Sequence, residues 1–187
     1  MSIEIPKERQ IKNLGTRPHN IPYSQLVEKM QNNEGAGQHG VIMLKPGCFS
    51  VDNKITSIQD QTEGLFADNN LNVVATSCIN LTKEQVHELY LGIFGSNVTA
   101  ITDRLDELRV LLDDYLSDCV FTYLVYGENA QGKLETIKKI LRKRIAHVGN
   151  WDVNNWIHVP TQKNITQDIE ILFNHPNCSV CPKLKNE

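Results

Sequence analysis

The chain has 187 residues, a length that suits one domain with an appendage and allows a proper hydrophobic core. Hydrophobic residues make up 40% of the chain and charged residues 22%, as in ordinary soluble globular proteins. The formal net charge of −3 gives no reason to expect non-specific binding to nucleic acid or to a membrane. No apolar run is long enough to span a bilayer and residues 1–12 are too polar for a secretory signal, so we expect a cytoplasmic protein.

Residues 1–39 are polar and contain three prolines, which predicts an N-terminal extension that ends in a linker. Within it, residues 24–31 are predicted to form one short helix with Ser24 as its cap. The extension could equally serve as an arm in an oligomer, and the sequence leaves both roles open.

Four stretches are predicted to form strands. Residues 41–44 are a continuous apolar run that is typical of a buried strand, and residues 71–79 are rich in β-branched side chains. Residues 119–126 form the third predicted strand, which stops at a glycine. The fourth is the short apolar pair at residues 156–157, and His158 lies where that strand ends.

Helices are predicted between and after these strands from the spacing of apolar residues. The stretch Thr82-Lys-Glu-Gln85 is a capping box, in which the first and last side chains bond to each other's backbone N–H groups and open a helix. A last, short amphipathic helix follows His158 and carries Asp168. The other predicted helices cover residues 55–67, 99–116 and 130–147, of which the last has a basic end.

The predicted order is therefore β-α-β-α-(α)-β-α-β-α. Four strands with two crossover helices are the split βαβ arrangement, so we predict an α+β, ferredoxin-like fold: a four-stranded antiparallel sheet covered by helices. Such a fold says little by itself about function.

The five cysteines lie far apart except for Cys178 and Cys181, so reduced thiols are expected throughout. The spacing Cys178-Ser-Val-Cys181 could be half of a zinc site. Because the chain has no second CxxC and no matching histidine pair, a loose tail over residues 177–187 is favoured.

His158 has two candidate roles. It could be a partly buried histidine that bonds to a backbone carbonyl, as many core histidines do. Alternatively, it could be a nucleophile or general base that the carboxylate of Asp168 orients. Residue types alone leave both roles open.

Five segments in order along the chain carry a family resemblance. They are Lys45-Pro46, Leu81-Thr-Lys-Glu-Gln85 followed by Tyr90, Val125-Tyr-Gly-Glu-Asn-Ala130, Asn155-Trp-Ile-His158 and Asp168-Ile169 followed by Leu172-Phe173. Together and in this order they resemble segments of nucleoside diphosphate kinases. The resemblance covers about residues 40–176 and makes this range the predicted domain, with residues 99–116 as an inserted helix.

The resemblance implies a phosphotransferase. His158 would take the γ-phosphate of ATP or another nucleoside triphosphate as phosphohistidine and pass it to a nucleotide or nucleotide-like acceptor. Asp168 stands where the family has a glutamate that orients the histidine. Mg²⁺ would bridge the phosphates of the nucleotide.

The resemblance also implies the residues that bind the nucleotide. Lys45 and Tyr90 would lie on the phosphate side of the histidine, and Asn155 would contact the sugar. Arg142 or Arg144 would supply a guanidinium clamp, and only one of the two can face His158 because residues two apart on a helix point about 200° apart. Arg144 is favoured, since it lies fourteen residues before the histidine, one more than the family's arginine.

The chain also departs from the family's pattern. Gly47 replaces an aspartate, Val159-Pro160-Thr161 replaces the Gly-Ser-Asp after the histidine, and the segment whose aromatic residue stacks on the base is missing. The alternative function is therefore a catalytically impaired nucleotide-binding or regulatory module of the same fold.

Two expectations concern binding partners. Binding to nucleic acid is disfavoured, because acidic residues outnumber basic ones in the chain. The extension and the inserted helix should cover surface that subunits of the family share, which favours a homo-oligomer smaller than a hexamer.

Overall fold

The structure is a computed structural model that describes residues 21–32, 37–45, 48, 58–82, 85, 86, 88, 89, 119–146, 157–160 and 165–174. These residues include four helices and four strands whose bounds are defined. Their order is α1 (Tyr23–Asn32), β1 (Gln38–Leu44), α2 (Ile58–Asp68), β2 (Asn72–Ile79), β3 (Val120–Gly127), α3 (Ala130–Ala146), β4 (Ile157–His158) and α4 (Ile165–Phe173).

The four strands form one sheet in the order β2-β3-β1-β4, and all three neighbouring pairs are antiparallel. This confirms the predicted four-stranded antiparallel sheet. β1 lies in the interior and pairs with β3 over seven residues. β4 is an edge strand that pairs with β1 only through Met43↔His158 and Leu44↔Ile157. The sheet therefore places His158 at its edge, beside the end of β1.

Both faces of the sheet are covered, which explains the unbroken apolar run in β1. Side chains of a strand alternate between the two faces. Ile42 and Leu44 pack with α2 and α3 in one hydrophobic layer, whereas Val41 and Met43 pack with α1 and α4 in the other. All four side chains are at most 1% exposed.

The helices begin close to where the sequence predicts. Leu26 N–H donates to the carbonyl of Pro22 at 3.0 Å, so α1 begins at Tyr23 and Ser24 lies inside the helix. The prediction that Ser24 is the cap is therefore wrong, because the carbonyl of Pro22 accepts the first helical bond. The capping box is confirmed: Thr82 N–H donates to Gln85 Oε1 at 2.8 Å, and Gln85 N–H donates to Thr82 Oγ1 at 3.2 Å.

The helix α3 lies unusually close to the sheet at Gly40 of β1. A Cβ atom at Gly40 would meet Leu134 Cδ1 at 2.6 Å and Ala130 Cβ at 3.4 Å. Both contacts come from the first two turns of α3, whose buried face continues through Leu134, Ile137, Leu141 and Ile145. The missing side chain of Gly40 lets α3 pack against β1.

Part of the N-terminal extension packs onto the domain. Leu26 of α1 is 1% exposed in the layer that also holds Val41 and Met43, and β1 begins at Gln38, two residues before the predicted domain start. The predicted helix at 99–116 and the tail at 177–187 lie outside the described residues. No described helix is long and apolar enough to cross a membrane.

The expectation that every cysteine is reduced is wrong for Cys119 and its partner. Cys119 is disulfide-bonded, whereas Cys48 and Cys78 carry thiols. The partner of Cys119 lies outside the described residues. Sequence spacing does not show such a pair, because the fold brings together sulfur atoms that are far apart along the chain.

Candidate functional site

The candidate site lies at the sheet edge, where β1 ends beside β4. His158 is the last residue of β4 and stands opposite Met43 of β1. Lys45 directly follows β1, and both its side chain and its Nζ atom are buried. Lysine is almost never fully buried without a compensating group nearby. A buried lysine beside an edge histidine therefore singles out this end of β1.

The helix α3 holds β4 on both sides of His158. Arg142 Nη2 donates to the carbonyl of Ile157 at 2.7 Å. Gln131 Nε2 donates to the carbonyl of Pro160 at 2.9 Å. Residues 131 and 142 lie three turns apart on α3 and so share one helix face. Because β4 has only two residues paired with β1, these two bonds help to fix the backbone that carries the histidine.

The surroundings keep the His158 imidazole neutral. Burial is the largest cause that lowers its pKa, and together with the positive charges of Lys45, Lys138 and Arg142 it brings the pKa to about 3. The ring's Nε2 atom is buried, although the residue as a whole keeps some exposure to solvent. A neutral imidazole has a lone pair on one nitrogen, which is the form that acts as a nucleophile.

Asp168 is not among the charged groups that shift the pKa of His158. It lies in the first turn of α4, is 5% exposed, and has its pKa raised to about 7 by burial. The described groups that shift the pKa of His158, besides burial, are all cations. The role of Asp168 as the group that orients the histidine stays a prediction.

Of the two candidate arginines, the structure brings Arg142 to the histidine. Arg144 is exposed, and its Nη1 donates to Gln61 Oε1 of α2 at 3.1 Å. The preference for Arg144 is therefore corrected. It came from counting residues back from His158, whereas the phase of the helix decides which side chain faces β4. The other predicted contacts, Tyr90 and Asn155, lie outside the described residues.

Lys138 belongs to the site although the sequence did not single it out. It lies one turn before Arg142, and residues four apart share a helix face. Its side chain is 16% exposed, at the border of the buried stripe of α3. The sequence did contain a signal for Lys138, namely its spacing of four residues from Arg142, which places both side chains on the same face of α3.

The described residues do not form a protein-borne metal site. No group of three or more histidine, cysteine, aspartate or glutamate side chains lies together among them. The charged groups described around His158 are cations, which suit phosphate oxygens and repel Mg²⁺. A metal ion at this site would have to depend on ligands other than these residues.

Comparison with known proteins identifies the fold. No protein-family model and no curated protein matches the chain. Solved structures do match, and three of them each have a TM-score of 0.51. The nucleoside diphosphate kinase of Aquifex aeolicus is 18% identical, with 72% of this chain and 94% of that chain covered. That of Halobacterium salinarum, in complex with CDP, is 18% identical, with 74% and 88% covered. That of Encephalitozoon cuniculi is 16% identical, with 79% and 97% covered. The chain thus has a fold like that of nucleoside diphosphate kinases.

Proposed function

We propose that this chain is a phosphotransferase. It would move the γ-phosphate of a nucleoside triphosphate such as ATP, through a phosphohistidine at His158, to a nucleotide or nucleotide-like acceptor. The observation that supports this best is the convergence of Lys45, Lys138 and Arg142 on a histidine that is kept neutral. Three cations beside one ring favour a ligand with several negative charges, and a neutral imidazole favours nucleophilic attack.

In the proposed reaction Nδ1 of His158 attacks the γ-phosphorus, because Nε2 is buried. A nitrogen–phosphorus bond forms while the bond from the γ-phosphorus to the bridging oxygen breaks, and the nucleoside diphosphate leaves. An oxygen of the acceptor then takes the phosphoryl group, and the nitrogen–phosphorus bond breaks. The three cations would stabilise the charge on the transferring oxygens, which is the main contribution a protein makes to phosphoryl transfer.

The other predicted groups complete the proposal. Tyr90 and Asn155 would contact phosphate and sugar, and Asp168 would orient the ring. Mg²⁺ would enter with the nucleotide and be held by its phosphates, so we assign no step to it.

Incubation with ATP that carries a radioactive γ-phosphate tests the function. We expect a covalent label on the protein that is labile in acid and stable in alkali, as phosphohistidine is. Addition of a nucleoside diphosphate should remove the label and yield a labelled triphosphate. His158→Gln, which keeps size and polarity but not the nucleophile, should stay unlabelled. A label that survives acid, or equal labelling of this variant, contradicts the proposal.

A second function, a nucleotide-binding module without transfer, is favoured by one observation. The charged groups that shift the pKa of His158 are all cations, and Asp168, the acid that the resemblance implies as its partner, is not among them. The same incubation separates the two functions. Saturable ATP binding without any covalent label supports the module.

A further inference from the structure

An ion pair on α3 joins Lys138 of the candidate site to Glu135, a residue that the proposed mechanism does not use. Lys138 Nζ lies 2.5 Å from Glu135 Oε2, one helical turn earlier. The lysine side chain is 16% exposed and the glutamate 37%. Lys138 is thus partly withdrawn from solvent, and Glu135 is the more exposed residue of the pair.

Lys138 also faces β4. Arg142, four residues further along α3, donates to Ile157 of that strand, and residues four apart share a helix face. The positive charge of Lys138, like those of Lys45 and Arg142, lowers the pKa of His158. Three like charges close to one ring are unfavourable unless a counter-charge is nearby. For Lys138, the described counter-charge is Glu135.

We propose that Lys138 is a switchable phosphate ligand, which Glu135 holds in the empty site and releases to a polyphosphate anion. This rests on the proposed function of the His158 site and adds a residue pair that sets its affinity. Glu135 carries one negative charge, whereas a triphosphate carries several and is also attracted by Lys45 and Arg142. The polyphosphate therefore outcompetes the carboxylate, while a singly charged anion gains less over it.

Binding of inorganic tripolyphosphate, measured by calorimetry at fixed ionic strength, tests this inference. Lys138→Gln should weaken binding about tenfold, since it removes a charge-assisted hydrogen bond. The control is Lys139→Gln, which removes the same charge from the next, exposed residue and should weaken binding about twofold at most.

The glutamate gives the second arm of the test. Glu135→Gln should strengthen binding about twofold, because the lysine no longer has to leave an ion pair. In the Lys138→Gln background the same change should have no effect. Glu135 is more exposed than Lys138, so this arm stays informative if Lys138→Gln fails to fold.

The inference is overturned if Lys138→Gln and Lys139→Gln weaken binding equally, or if Glu135→Gln has no effect in the otherwise unchanged chain. Its failure is separable from that of phosphotransfer, because tripolyphosphate binding requires no reaction. If tripolyphosphate binding depends on Lys138 but His158 is not labelled by ATP, the proposed phosphotransfer is refuted and the role of Lys138 is not. If His158 is labelled but tripolyphosphate binding does not depend on Lys138, the proposed role of Lys138 is refuted and the phosphotransfer is not.

Discussion

Arg142 and Arg144 carry the same charge on the same helix, but their surroundings differ. Arg142 bonds to the backbone beside His158, whereas Arg144 is exposed and bonds to Gln61. We expect Arg142→Ala to weaken ATP binding about tenfold or more, and Arg144→Ala to change it less than about twofold. Calorimetric titration of both variants measures this. Equal losses would mean that bulk charge, rather than position, attracts the nucleotide.

Asp168 predicts how stability depends on pH. Burial raises its pKa from 3.8 to about 7, so between these values the folded protein binds more protons than the unfolded chain. The free energy of unfolding should therefore fall as the pH rises through this window. Asp168→Asn keeps the shape without the charge and should be more stable than the unchanged chain at pH 8, by on the order of 2 kcal/mol.

Urea unfolding at several pH values measures this effect. Asp68→Asn, at an exposed position at the end of α2, controls for the change in net charge. An equal stabilisation by both substitutions, or none by Asp168→Asn, contradicts the account of the buried carboxyl group.

At the scale of elements, the contact of α3 with β1 determines where Arg142, Lys138 and Gln131 meet β4. Gly40→Ala places a Cβ atom 2.6 Å from Leu134 Cδ1 in a fully buried layer. It should destabilise the fold by about 1–3 kcal/mol through overpacking. Gly64→Ala in α2 is the matched control, because its Cβ would meet nothing within 4 Å. The control should stabilise by about 0.5–1 kcal/mol, as alanine does inside helices.

Denaturant midpoints of the two alanine variants decide this prediction. A Gly40→Ala variant as stable as Gly64→Ala would show that α3 can shift away from β1 at little cost. In that case the placement of the cations beside His158 could not be attributed to this contact.

The elements also show which structural features the sequence could predict. The apolar run at residues 41–44 has no polar alternation, which identifies a strand buried on both faces, and the capping box fixes a helix start by local bonds alone. The choice between Arg142 and Arg144 depends on the phase of α3 relative to β4, and the bond of Cys119 depends on a distant partner. Neither is a local property, so neither could be read from spacing.

At the scale of the whole molecule, the extension provides a prediction about assembly. Leu26 of α1 is buried against the sheet layer of Val41 and Met43, so the extension occupies surface of the domain. We expect a homo-oligomer smaller than a hexamer, because such a cover competes with subunit contacts. Light scattering coupled to size-exclusion chromatography gives the mass directly. A hexamer in solution contradicts this prediction.

The central claim is that the sheet edge presents His158 as a neutral nucleophile among cations. Mass-spectrometric mapping of the phosphate after brief incubation with ATP, at neutral pH and with fragmentation that preserves phosphohistidine, tests it most directly. We predict a single phosphorylated residue, His158, and no phosphate on His39, which lies in β1 away from the cation cluster. Phosphate on another residue, or an unmodified His158 in a chain that binds ATP, would contradict the claim.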